Sequence, residues 1–299
     1  VSEAIVLEQG ITVARPVAVG QSMQSMAWRQ LCRKRTALAG LGLIILLIMT
    51  AILADVLAPY DPTATGVGVP MSPPSAQYPL GTDMLGRDML SRVMYGTRIA
   101  LYVGVFALVP ALVVGVPLGV IAGFYGGAVD NVIMRLMDIL LAFPIFLLAI
   151  VIMVILEPST LNVVIALGIV RIPIYARIVR GSVLSIKSLT YVEAAKALAV
   201  RDMRLLWRHI LPHGLAPILV TSTLSVGVSI IAEASLSFLG LGTQPPTPSW
   251  GWDLKANLMV LEINPWVCIF PGIAIFLTVL AFNLFGDGVR DALDPRLKV

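Results

Sequence analysis

Two ionisable residues interrupt long apolar runs of this chain, Arg171 in ALGIVRIPIYA and Glu233 in VSIIAEASLSF. They are the first places where chemistry could occur. A charge at membrane depth is costly, so each must meet an opposite charge or a wet cavity. Counting 1.5 Å per residue from the outer ends of their runs puts Arg171 roughly 15 Å deep and Glu233 roughly 9 Å, near enough to meet. Two roles follow: a structural ion pair, or the lining of a path taken by a polar solute. Bond-making chemistry finds less support. The only histidines are His209 and His213, and Pro212 between them breaks the i,i+4 face that a metal pair needs. H-E-x-x-H, G-x-S-x-G and the G-x-x-x-x-G-K-[ST] phosphate loop are all missing, and the chain contains no Gly-Lys dipeptide. Neither a metal site nor an enzymatic site is expected. Cys32 and Cys268 have no pairing or ligand spacing around them.

The elements that must position these residues are membrane helices. At 299 residues, 58% hydrophobic and 13% charged, the chain reads as an all-α polytopic membrane protein. A tail over 1–36 carries Arg29, Arg33, Lys34 and Arg35 before a first span at 37–58. Residues 59–98 read as an external loop ending in an interfacial helix, with Asp83/Arg87 and Asp88/Arg92 as i,i+4 pairs. The five-span remainder, 99–286, has runs at 99–124, up to about 156, 161–179, 214–239 and 266–286, then a charged tail over 287–299. Gly115, Gly119 and Gly123 share one face of the second span and permit close helix approach. With six spans, 16 of the 21 Lys and Arg fall on the side of the termini, 4 opposite and one in the membrane. The positive-inside rule therefore places both termini in the cytoplasm. The net charge of +4 follows this topology rather than any nucleic-acid surface.

Between the fourth and fifth spans lies a polar and basic island at 188–212, including TYVEAAKALAVRDMRLLWRHILP. Thr190 and Glu193 have capping-box spacing and start a short helix; Asp202 can cap a second that Pro212 ends. Glu193-Ala194-Ala195, then Ala199, then Leu211-Pro212, resemble the EAA loop of ABC-importer permeases (E-A-A, three residues, Gly, nine residues, I-x-L-P). Ala199 stands in the Gly position and His209 in the Ile position. A left-handed residue at 199 would cost Ala about 1 kcal/mol, so a helical turn is the expectation there.

GTDMLGRDMLSR, AGFYGGAVDNVIMRLMDILLAFP and EASLSFLGLG extend the likeness over nearly the whole chain after residue 30. The chain resembles the dipeptide/oligopeptide (nickel) branch of these permeases and is most like its dipeptide C-type subunits. The resemblance implies a bacterial inner-membrane subunit with a cytoplasmic coupling loop, its ATPase contact built from Glu193, Ala194, Ala195, Ala199, Arg201, Asp202, Leu211 and Pro212. It implies a second homologous permease, two cytoplasmic ATPase subunits that hold ATP and Mg, an external solute-binding protein, and no cofactor in this chain. The loop at 240–264 is too rich in proline for a regular helix, and Trp250 and Trp252 suit headgroup depth. Pro245, Pro246, Thr247 and Trp250 are the candidate docking residues for the binding protein; a plain plug of the bundle is the alternative. The competing class is a self-contained secondary transporter or channel, which would use ion-coupling acids and often an internal repeat. Glu233 is one such acid, and no repeat at fixed period is present.

Overall fold

A computed structural model describes residues 29–293, the side chains of Lys196, Trp207, His209 and His213 excepted. The fold expectation holds: the described residues are mostly helical, and the one pairing of extended backbone among them is an isolated bridge between Thr82 and Asp88. Helix α1 (Arg35–Leu57) is an apolar rod whose buried positions Ala37, Gly40 and Ile44 share one face. Helix α2 runs Met89–Tyr125, its ladder widened into a π turn at Ala111–Gly115 just after Pro110, which lacks a backbone donor. Helices α3 (Gly127–Leu141) and α4 (Ile145–Leu156) meet at an 85° bend, where Pro144 takes extended backbone. Helix α5 (Thr160–Lys187) follows, then α6 (Thr190–Ala197) and α7 (Asp202–Leu205). A π turn at Leu206–Ile210 leads into α8 (Leu211–Phe238), then come α9 (Trp250–Asn257) and α10 (Trp266–Leu293). Five of these helices are long and apolar enough to cross a membrane, and six crossings result when the bent pair α3–α4 is one span.

Several boundaries differ from the expected ones, each for a physical reason. No separate interfacial helix precedes the second span. Residues 80–88 are a folded turn, and Asp88 caps α2 by accepting from Ser91 N at 2.8 Å, so the helix runs unbroken from Met89. At 37 residues it is about 55 Å long against a hydrocarbon core of about 30 Å, and its first turns stand outside the bilayer. Helix α5 outlasts its apolar run because its basic end is satisfied: Arg177 pairs with Asp138, Arg180 with Asp130 at 2.5 Å, and Lys187 Nζ donates to Phe124 O at 2.6 Å. Helix α10 extends through Leu293 into the expected tail, and Asp291 pairs with Lys34.

Helix α10 lies between α1 and α8, and α5 packs on both α2 and α8, which also touch each other. The α2–α5 contact is as close as the glycine face suggested. A Cβ on Gly115 would sit 2.8 Å from Ile172 O, and one on Gly119 2.8 Å from Val179 Cβ. Gly119→Val should therefore lower stability by about 1–3 kcal/mol through overpacking, while Gly42→Val, with nothing within 4 Å, should not. Thermal unfolding of the purified chain in nanodiscs checks this; equal midpoints for both variants would refute the close contact.

Candidate coupling surface and external cap

The polar island forms the expected helix, turn, helix, but Asp202 is the first residue of α7 rather than its cap, and Pro212 does not end the second helix. A proline is tolerated in a first helical turn, so the chain runs on through it into α8. Helix α6 starts at Thr190 itself, where Leu189 O accepts from Val192 N at 2.9 Å and Glu193 N at 3.2 Å. One side is fastened to the bundle: Val192, Leu205, Leu206 and Ile210 are buried in the main core, with Ala195 and Val200 against them. The other side is open. Glu193, Ala194, Ala199, Arg201, Asp202 and Pro212 are exposed, Ala195 and Leu211 half-buried, and Leu198 at the tip is 79% exposed. The turn itself corrects the sequence expectation. Ala199 has φ +54, so it adopts the left-handed conformation of the glycine it replaces and bears the strain of about 1 kcal/mol. The chain reverses too tightly there for a helical turn.

At the opposite end, residues 59–88 and 240–264 close over the bundle. Arg92 is the keystone: Nε donates to Asp253 Oδ1 at 2.8 Å, Nη2 to the same oxygen, and Nη1 to Pro62 O at 2.9 Å. Both partners are fully buried. Burial pushes the Asp253 carboxyl above the usual aspartate range, and Arg92 is the largest influence pulling it down. The expected Asp88/Arg92 pair is thus replaced by a contact with a distant helix, because Asp88 is spent on the α2 cap. The Asp83–Arg87 pair does form, at 2.6 Å and buried, in a turn rather than a helix. Trp250 is also corrected: it is 2% exposed, donates Nε1–H to Val93 O at 3.0 Å and lies against Gly96. It is a core residue at the start of α9, unavailable for docking or for a headgroup, and the loop includes a helix after all. Pro245, Pro246 and Thr247 are exposed; Pro246 and Thr247 edge a cleft of 600 Å³ that also includes Asp55, Tyr60 and Tyr95.

Arg171 and Glu233 do not meet. Glu233 is buried within the cap, accepting from Ser237 Oγ at 2.7 Å and Ser249 Oγ at 3.0 Å. Arg171 makes no ion pair among the described residues. The helix register separates them: Tyr175 of α5 faces Ser222 of α8 at 3.1 Å. Since the two helices run antiparallel, this sets Arg171 about level with residue 226 and about 10 Å from Glu233 along the axis. The outer helix ends lie at Thr160 and Phe238, close to the run ends, so the depths were nearly right. Depth alone carries no information on the register between the two helices or on which way a side chain faces.

The family of binding-protein-dependent transport system inner membrane components matches residues 115–299, and the N-terminal TM domain of oligopeptide transport permease C matches residues 22–74. The chain belongs to this transport family. The permease is 47% identical over 272 residues to the glutathione transport system permease protein GsiD of Pectobacterium atrosepticum and 45% to the dipeptide transport system permease protein DppC of Alkalihalophilus pseudofirmus, in each case covering 91% of this chain and 90% of the relative. Its fold is that of a chain of the MetNI methionine ABC transporter in an inward-facing form, with a TM-score of 0.53 at 18% identity, covering 69% of this chain and 98% of that one. It is therefore an ABC-importer permease subunit, and the secondary-transporter reading is set aside.

The Arg92–Asp253 pair of the permease was not legible in sequence, since 161 positions separate its members. Removing either charge alone leaves the other buried and should cost about 3–5 kcal/mol, whereas a double replacement by apolar residues should cost much less. A double-mutant cycle on Arg92→Met and Asp253→Leu, read by thermal unfolding in nanodiscs, checks the coupling. Strictly additive losses would contradict it.

Proposed function

We propose that this permease imports short peptides or peptide-like solutes such as glutathione, forming half of a pathway whose other half is a second, homologous permease. Two cytoplasmic ATPase subunits supply the ATP and Mg chemistry, and an external binding protein delivers the solute. The chain sits in a bacterial inner membrane with both termini cytoplasmic, a reading supported by the basic-residue bias. The observation that carries this is the island at 188–212: a helix–turn–helix fastened to the core by Val192, Leu205 and Ile210 and open along Glu193, Ala194, Leu198, Arg201 and Asp202. Small residues at 194 and 195 let another surface approach closely, while Leu198 offers an apolar knob to a pocket. The peptide and glutathione systems named for the relatives support the substrate class.

Ala194→Arg should leave the complex assembled but abolish the stimulation of ATP hydrolysis by loaded binding protein, because the added bulk sits where the ATPase docks. Normal stimulation in a fully assembled variant would remove the assignment. Orientation is checked separately at Thr247, which is exposed. A cysteine there should react with an impermeant thiol reagent from outside, and binding protein should protect it. Labelling only from the cytoplasm would reverse the topology, whereas unprotected external labelling would remove Pro245, Pro246 and Thr247 from the docking surface.

A further inference from the structure

Among the described cations of the helix bundle, Arg171 is the one that is buried without a partner. Arg92, Arg98, Arg177 and Arg180 each hold an aspartate, and Lys187 holds a carbonyl oxygen. Arg171 makes no hydrogen bond or ion pair among the described residues and is only 8% exposed. It lies 11 residues into α5, roughly 16 Å from the helix start and so near mid-membrane. A guanidinium stays charged under all ordinary conditions, and at that depth an unmet charge is expensive. The sequence had offered Glu233 as its counterion, but that carboxylate is committed to Ser237 and Ser249 in the cap. No described carboxylate of this chain meets Arg171.

The surroundings say which anion. One helical turn along the same face of α5 is Tyr175, fully buried, whose hydroxyl meets Ser222 of α8 at 3.1 Å. Just beyond that bridge, on the side of the coupling loop, begins a groove of 590 Å³. It is bordered by Ile178, Ser182 and Ser185 of α5, Ala216 and Thr221 of α8, and Arg290 of α10. Its volume suits a small ligand, its wall carries hydroxyls, and its lining residues Ile178 and Thr221 lie three and one positions from the Tyr175–Ser222 contact. A planar, forked cation with a phenol one turn away is the donor set for a carboxylate. A resident aspartate would occupy that fork permanently; its absence keeps the fork open to a passing ligand.

We propose that Arg171, assisted by Tyr175, is the station in this permease that takes the carboxylate of the solute in transit, so that the pathway itself selects carboxylate-bearing solutes. This deepens the peptide-importer reading and rests on it. The carboxylate accepts two hydrogen bonds from the guanidinium and one from the Tyr175 hydroxyl once that hydroxyl leaves Ser222. Opening the Tyr175–Ser222 bridge also joins the station to the groove, so capture and release are linked by one side chain.

The test uses the complete importer in proteoliposomes with its binding protein. The probes are trialanine, reduced glutathione, trialanine amide and glutathione with both carboxylates amidated, each set to equal binding-protein occupancy. The wild type should take up the free acids about tenfold faster than the amides. Arg171→Gln should erase that preference, Arg171→Lys should keep part of it, and Tyr175→Phe, which removes one oxygen, should reduce it about threefold. Tyr175→Phe keeps the test decisive should Arg171→Gln fail to assemble. Acid and amide uptake falling together, with their ratio unchanged in Arg171→Gln or in Tyr175→Phe, would mean that Arg171 serves structure or the second permease, and the proposal falls. Absence of uptake of every probe by the wild type would overturn the peptide reading itself, and this station with it.

Discussion

A charge cannot be left alone where water is excluded, and this constraint arranges most of the molecule. Several joints between distant parts of the chain are acid–base pairs placed where a helix leaves the apolar zone. Arg92 with Asp253 joins the start of α2 to α9; Arg98 with Asp55 joins α2 to α1; Arg180 with Asp130 joins α5 to α3; Lys34 with Asp291 joins the two terminal helices. The apolar faces between these joints are permissive, since lipid tails compete with any aliphatic partner and give little preference for one rotation of a helix over another. The ionic joints, together with glycine-mediated contacts such as Gly119 on α5, supply that preference. The partly exposed pairs contribute modestly to stability, but they define register.

Periodicity and composition were enough to read the membrane helices, because a run of some twenty apolar residues has few other uses. What they could not supply was partner choice. Asp88 and Arg92 have ideal helical spacing, yet Asp88 sits at the cap rather than within the helix, and Arg92 is released to Asp253. Trp250 has the composition of an interfacial anchor, yet Gly96 leaves a space on α2 that its ring fills. In both cases a tertiary contact outweighed a plausible local one, and nothing within ten residues of either position announces it. Arg171 and Glu233 failed differently. Their depths were nearly right, since the outer ends of α5 and α8 lie at Thr160 and Phe238, but the register between the two helices, set by contacts such as Tyr175 with Ser222, is not written in either run.

The coupling surface was the most legible part of the candidate site, and the reason is that its signals are local. Small residues, a first-turn acid and a turn at fixed offset all act within a few positions of one another. Ala199 is the informative exception. A residue with a Cβ in a left-handed conformation persists only where the surroundings over-determine it. Here the helices on either side are held by Val192 and Leu205, both fully buried. The turn is fixed by its flanks rather than by its own sequence, so glycine is dispensable at that position.

Helix α8 then connects the two ends of the molecule. Near its first residues lies the candidate coupling loop; near its last, Glu233 accepts from Ser249 Oγ and Ser237 Oγ accepts from Thr243 N, which ties it to the cap. It has two weak points, the π turn at Leu206–Ile210 that leads into it and its internal Pro217, where an intrahelical hydrogen bond is lost or lengthened. Both lie on the coupling-loop side of Ser222. In the proposed importer, a push on the loop would therefore bend α8 below the Tyr175–Ser222 contact, while the upper part moves with the cap as one piece. That contact is the lowest described hydrogen bond between α5 and α8, so a bend starting beneath it strains it before any joint in the cap. The fold thereby places a hydroxyl–hydroxyl bond between the surface that would receive ATPase motion and the arginine proposed to take an anion.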